Sequence, residues 1–243
     1  MRTVLVGLLL VTAASSCAGD GGRGTGATST SEPSTRSEPS RSTPSTTSTT
    51  AAAPTPALFR STIAAVTAAN LGASWREGCP VGPADLRLVT VSLIDFDDRD
   101  HSGTVVVHAD VADQVVEVFR RLHAGRFPVR TMRPIFTQAE FEDFETPDDN
   151  SSGFSCRNAV DSDAAPSWSR HAFGHAIDIN PIENPYLEGG RIIPSAGAAY
   201  TDRGDVRPGM AVEGGVLVEA FRSVGWEWGA SFSDYQHFST DGR

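Results

Sequence analysis

The sequence predicts an α+β domain over residues 58–243, built around a central, mainly antiparallel sheet. Three observations predict it. Leu86–Phe96 and Thr104–His108 are strand-like runs on either side of a turn-like stretch. Val111–Ala124 has the apolar spacing of a helix. Strands and helices then mix without the regular strand–helix alternation of a parallel sheet.

Ser61–Leu71 has the spacing of a short helix. In Leu86–Phe96, Val89, Val91 and Leu93 alternate with Leu88, Thr90, Ser92 and Ile94, as in a strand with two distinct faces. Asp97–Gly103 reads as the turn of a hairpin that returns through Thr104–His108. Asp98, Asp100, Ser102 and Gly103 imitate the start of a calcium loop, but its twelfth position is Ala109, where an acidic ligand is required, so that reading fails. His101 and His108 are accordingly read as loop and strand-end residues. Asp110 stands where it can cap the Val111–Ala124 helix, whose apolar stripe is Val115, Val116, Phe119 and Leu122. Pro128–Met132 reads as a strand, and Val216–Val224 as a helix ended by Gly225. Ala176–Asn180 alternates as a strand, with Ile177 and Ile179 on the core face and Ala176, Asp178 and Asn180 on the other.

The N-terminus reads as a targeting segment. Arg2 precedes an apolar run, Val4–Val11, that is too short to span a bilayer and fits a signal sequence over residues 1–17. The small residues ending in Cys17 resemble a bacterial lipobox, although Ala14 replaces the usual leucine. Lipidation at Cys17 would leave the protein exported and anchored at the outer face of the membrane; an ordinary cleaved signal would leave it secreted to the wall. Residues 18–57 are rich in Gly, Ser, Thr and Pro and cannot bury a core, so they read as a linker. The formal charge of −10 argues against nucleic acid as a partner. Contact with the membrane is expected only through the lipid, and the domain is expected to be monomeric. Cys79 and Cys156 remain after Cys17 and, in an exported chain, invite a disulfide.

Chemistry concentrates in Ser169–Asp178. His171 and Asp178 flank Gly174, which lets the backbone turn between them. Far downstream, Asp234-Tyr235-Gln236-His237 adds a carboxylate and a histidine, three apart, whose side chains can converge on a turn of helix or across a tight loop. Two histidines and an aspartate suffice to hold a catalytic zinc with one position open. The spare carboxylate, Asp234, can then serve as a base. Phe238, Trp226 and Trp228 stand near enough to wall a site, but are expected mainly to pack the core.

Ser169-x-His171-x-x-Gly174-x-Ala176-x-Asp178, followed by Asp234-x-x-His237, resembles the LAS family of zinc peptidases. That family includes D-alanyl-D-alanine carboxypeptidases, D-Ala-D-Ala dipeptidases and L-alanyl-D-glutamate endopeptidases. The upstream segment Asp149–Arg157, with its Cys156-Arg157 pair, is similar to one bacterial subgroup. The resemblance implies a LAS-type (Hedgehog/D,D-peptidase-like) fold, zinc held by His171, Asp178 and His237, and Asp234 as general base. It implies that Arg157 contacts the scissile carbonyl or a substrate carboxylate, and that the substrate is a peptidoglycan stem peptide. Ser169 would position the His171 loop. His175 occupies a variable position and receives no metal role. Pro181 and the Glu183-Asn184-Pro185-Tyr186 stretch resemble a cleft edge. Arg170 departs from the acidic or neutral residue expected there, which bears on local charge and substrate preference. Cleavage at D-Ala-D-Ala is the leading expectation, an L-alanyl-D-glutamate or other L,D-endopeptidase the alternative, and a non-catalytic wall-binding module the rival of another class.

Overall fold

The computed structural model describes residues 58–145, 148–159 and 167–243. The signal segment expected over residues 1–17, with Cys17, and the linker expected over 18–57 lie outside the described residues. No helix among the described residues is long and apolar enough to cross a membrane.

Strands β1 (Ser61–Ala65), β2 (Leu86–Ile94) and β3 (Asp100–His108) form an antiparallel sheet in that order. The helix expected over Ser61–Leu71 is therefore confined to α1 (Ala68–Leu71), and its first half is β1. Ser61 to Ala65 lie opposite Val91 to Arg87, so pairing with a long neighbouring strand overrides a weak local preference. The hairpin turn is also earlier and tighter than expected. The Asp95 carboxylate accepts from the amides of Asp97 and Arg99, and β3 begins at Asp100. His101 is consequently a strand residue, its Nε2 2.9 Å from the Val129 carbonyl, and not a loop residue.

The β2–β3 ribbon is buried on both faces. Val89, Val91, Leu93, Val105 and Val107 join the main core, while Leu86 and Val106 face a second cluster with Leu71, Phe154 and Cys156. Against the first face lies α2 (Ala112–Ala124), preceded by a 3₁₀ turn at Ala109–Val111. Its fully buried stripe is Val115, Val118, Phe119 and Leu122; Val116 is only partly buried and Val118 takes its place. Asp110 does not cap this helix. It sits inside the 3₁₀ turn, with its carboxylate engaged by two histidines.

The expected strand over Pro128–Met132 reduces to β4 (Thr131–Met132), and α3 (Gln138–Glu142) follows. The segment β5 (Asn150–Ser151) pairs in parallel with β4. Strand β6 (Ala176–Asp178) comes next, then the hairpin of β7 (Tyr186–Glu188) and β8 (Arg191–Ile193). Helix α4 (Val216–Arg222) packs on α2 and leads, through Gly225 at φ 87°, to β9 (Glu227–Trp228) and β10 (His237–Ser239). A second antiparallel sheet has the order β6-β10-β9. The architecture is α+β with mainly antiparallel sheets, but the strands divide between two three-stranded sheets and two short ribbons instead of one central sheet. The chemistry-bearing strands belong to the smaller three-stranded sheet. Its apolar face enters the core, where Phe238 stacks on Phe221 at 4.2 Å between centroids.

Cys79 and Cys156 form a disulfide with their Cα atoms 5.8 Å apart. It ties the loop after Trp75 to the segment that carries Arg157.

Candidate metal centre and cleft

In the β6–β10 pairing, His237 stands directly opposite Asp178, Phe238 opposite Ile177, and Ser239 opposite Ala176. Alternation sends Ile177 and Phe238 into the core and turns Asp178 and His237 to the other face. His171 arrives from a 3₁₀ turn, Arg170–Phe173. Ser169 caps that turn by accepting from the His171 amide at 3.3 Å. Gly174 ends it in the left-handed region, φ 71°. A Cβ there would lie 2.5 Å from the His108 amide nitrogen, so this turn can approach β3 only with glycine.

The three side chains meet. His171 Nε2 is 3.1 Å from Asp178 Oδ2 and 3.2 Å from His237 Nδ1, and His237 Nδ1 is 3.1 Å from Asp178 Oδ1. The outer nitrogens of both rings face main-chain oxygens: His171 Nδ1 lies 2.7 Å from Gly153 O, and His237 Nε2 3.1 Å from Arg243 O. A main-chain oxygen only accepts, so each outer nitrogen carries a proton, and each ring when neutral turns a bare lone pair inward. Two lone pairs and a carboxylate converging in a buried site are the donor set of a cation. The separations also match the ~3.3 Å edge of a tetrahedron with zinc bonds of about 2.0–2.1 Å. The residues therefore fit zinc.

The electrostatics favour the neutral ring at His171 and oppose it at His237. Burial pushes the His171 pKa down and keeps the ring neutral, against the pull of Asp178. Burial opposes charge on His237 too, but Asp178 outweighs it and raises the pKa. Asp178 is held far below the usual carboxylate range because its two histidine partners overcome its burial.

Asp234 shares the cleft but is not one of the converging ligands. Its main chain bridges to Tyr186 of β7, and its carbonyl accepts from the His237 amide at 3.3 Å. Its Oδ1 is buried and has no hydrogen-bond partner in the protein. Burial, and then the charge of Asp178, push its pKa up to about 7.

Arg157 reaches the same cleft. The strut Asn150–Arg157 fixes it: Ser152 exchanges two main-chain bonds with Asp178, Phe154 N donates to Val106 O, and Ser155 N donates to His171 O. Cys156 is held by its disulfide, by its amide on Ser74 O, and by Arg76, which donates to its carbonyl at 2.6 Å. Arg157 O accepts from the amide of Ser169, so the arginine and the His171 turn are laced together. The cleft, about 480 Å³, is lined in part by His171, Asp178, Asp234 and Arg157. Ala139, Phe141, Phe144, Tyr186 and Ile193 add apolar lining, and Arg133, Glu140, Asp148 and Arg191 charged lining.

Pro181 and Tyr186 line the cleft as the resemblance implies, but Glu183 and Asn184 are buried beneath it. Asn184 instead binds Ile179, Gly209 and Ala211. Trp226, Trp228 and Phe238 pack in the core and do not line the cleft. Arg170 pairs with Asp241 at 2.8 Å, outside the cleft lining. His175 lies apart from the three converging ligands. The orienting carbonyls of Gly153 and Arg243 were not foreseeable as such, because every residue has one.

Residues 162–240 match a family model described as D-alanyl-D-alanine carboxypeptidase. The match supports the LAS-type zinc peptidase family to which the motifs point. It contains His171, Asp178, Asp234 and His237 and leaves Arg157 outside. No curated protein and no solved structure matches the chain.

Proposed function

We propose that the protein is a zinc metallopeptidase that hydrolyses peptidoglycan stem peptides, with D-alanyl-D-alanine carboxypeptidase activity the leading specificity. The carrying observation is the convergence of His171, Asp178 and His237 to 3.1–3.2 Å beside a spare buried carboxylate. The family match supports the peptidase class and the D-Ala-D-Ala preference.

His171, Asp178 and His237 would hold the zinc, and the ion when bound supplies Lewis acidity and lowers the pKa of water from about 16 toward 7. Asp234 accepts the proton of the attacking water and passes it to the departing amine as the C–N bond breaks. Its raised pKa suits both transfers near neutrality. Arg157 offers a guanidinium to the oxyanion or to a terminal carboxylate. A free C-terminal carboxylate on the substrate would use that group fully, which favours a carboxypeptidase over an L-alanyl-D-glutamate or other L,D-endopeptidase.

In this reading the domain acts as a monomer outside the cell. Cys17 carries the lipid, and the linker over residues 18–57 spans from the membrane toward the wall. Radiolabelled-palmitate incorporation that survives in Cys17→Ser would overturn the anchor at this residue.

Digestion of purified muropeptides with mass analysis of the products tests the activity. Loss of one terminal alanine is expected. Release of a longer peptide would move the assignment to an endopeptidase, and no reaction by zinc-loaded protein would favour a wall-binding module.

A further inference from the structure

Behind the catalytic turn lies a second group of potential ligands: His108 at the end of β3, Asp110 in the following 3₁₀ turn, and His175 between the His171 turn and β6. One carboxylate oxygen, Asp110 Oδ1, stands 2.6 Å from His108 Nδ1 and 3.0 Å from His175 Nε2. The imidazoles face each other at 4.9 Å between centroids. Both histidine side chains are about three-quarters buried, whereas the Asp110 side chain is 59% exposed. Two half-fixed rings therefore flank a carboxylate that is open to water.

We propose that His108, Asp110 and His175 form a second cation site, on the surface, for a divalent transition metal such as zinc. Two imidazoles and one carboxylate are a donor set for zinc or its neighbours and too poor in oxygen for calcium or magnesium. To reach the ~3.3 Å edge of a zinc tetrahedron, Asp110 Oδ1 would move away from His175 Nε2, now at 3.0 Å, by about 0.3 Å and from His108 Nδ1, now at 2.6 Å, by about 0.7 Å. Asp110 is exposed enough to make that adjustment, and water completes the coordination.

The placement gives the site a role. His108 N donates to Gly174 O, His175 N donates to Arg170 O, and Thr240 N donates to His175 O. A cation here would clamp the β3–α2 junction onto the turn that presents His171 and onto the end of β10. It would brace the primary ligands from outside without touching the cleft.

Zinc titration of metal-stripped full-length protein, followed by calorimetry, tests the proposal. Wild type should bind two equivalents, and His175→Gln and Asp110→Asn one each. His237→Ala, which damages the primary cluster, should retain the surface equivalent, so this result is independent of the peptidase assignment. Addition of the second equivalent should raise the melting temperature of wild type and not that of His175→Gln. No equivalent in His237→Ala, or a wild-type stoichiometry unchanged in both His175→Gln and Asp110→Asn, would overturn the site.

Discussion

Asp234→Asn separates the proposed proton acceptor from the proposed metal ligands. Asparagine keeps the shape of the side chain, and the substitution leaves His171, Asp178 and His237 untouched. In the native protein the Asp234 Oδ1 is sealed from solvent without a protein partner, and its pKa is raised to about 7 by burial and by Asp178. A positioned acid–base group of matched pKa contributes roughly 10²–10⁴-fold to the rate. That range corresponds to about 3–5 kcal/mol of barrier. The kcat for muropeptide hydrolysis should fall by that factor, while zinc content and the circular-dichroism melt stay close to wild type. The pH profile adds a sign. Wild-type activity should decline as pH falls, as the proposed base form of Asp234 is lost on protonation, and the residual activity of the variant should lack that acid limb. A kcat within about threefold of wild type would refute the base assignment, given the 10²-fold lower bound on such groups. Loss of one zinc equivalent would instead make Asp234 a ligand.

Gly174→Ala should destabilise the domain by about 2 kcal/mol or more, since it puts a Cβ at φ 71° and 2.5 Å from the His108 nitrogen; urea unfolding that is unchanged would contradict the close approach. Asp149 is buried against Glu183 and Arg130, and burial followed by the shared hydrogen bond with Glu183 raises its pKa from 3.8 to about 8. The native state thus holds a proton that the unfolded chain has released, so stability should decline with rising pH between about 4 and 8, by up to ~1.4 kcal/mol per unit; urea midpoints at several pH values should show this slope in wild type and its loss in Asp149→Asn. The Cys79–Cys156 bridge spans a sequence separation of 77. Reduction should therefore cost about 4–5 kcal/mol on a loop-entropy basis, read from guanidinium unfolding with and without reductant.

Much of the fold was legible where the sequence pattern is long. The β2–β3 hairpin and α2 carry enough apolar residues in register for local spacing and burial to agree. Reading failed where a segment is short or where a partner decides. Ser61–Ala65 suits either state, and only the edge of β2 makes it a strand. Asp110 has the identity and position of a helix cap, yet two histidines compete for its carboxylate, His108 two residues before it and His175 65 residues away in sequence. The two-sheet division was equally invisible, because β4, β5 and β9 are two residues long and exist only through their neighbours.

The candidate metal centre was more legible than the fold because the same alternation encodes both. Ile177 and Phe238 must be buried, and they lie opposite each other in β6 and β10. A one-residue slip would turn either Asp178 or His237 into the apolar core and expose its neighbour. Hydrophobic burial therefore selects the one register that sets Asp178 against His237, before any cation is present. His171 does not share this protection. It reaches the pair through a glycine-ended turn, and the disulfide-braced strut at Phe154–Arg157 together with Gly174 holds that turn in place. Strand pairing thus fixes two ligands, and the packing of the turn governs whether the third completes the set.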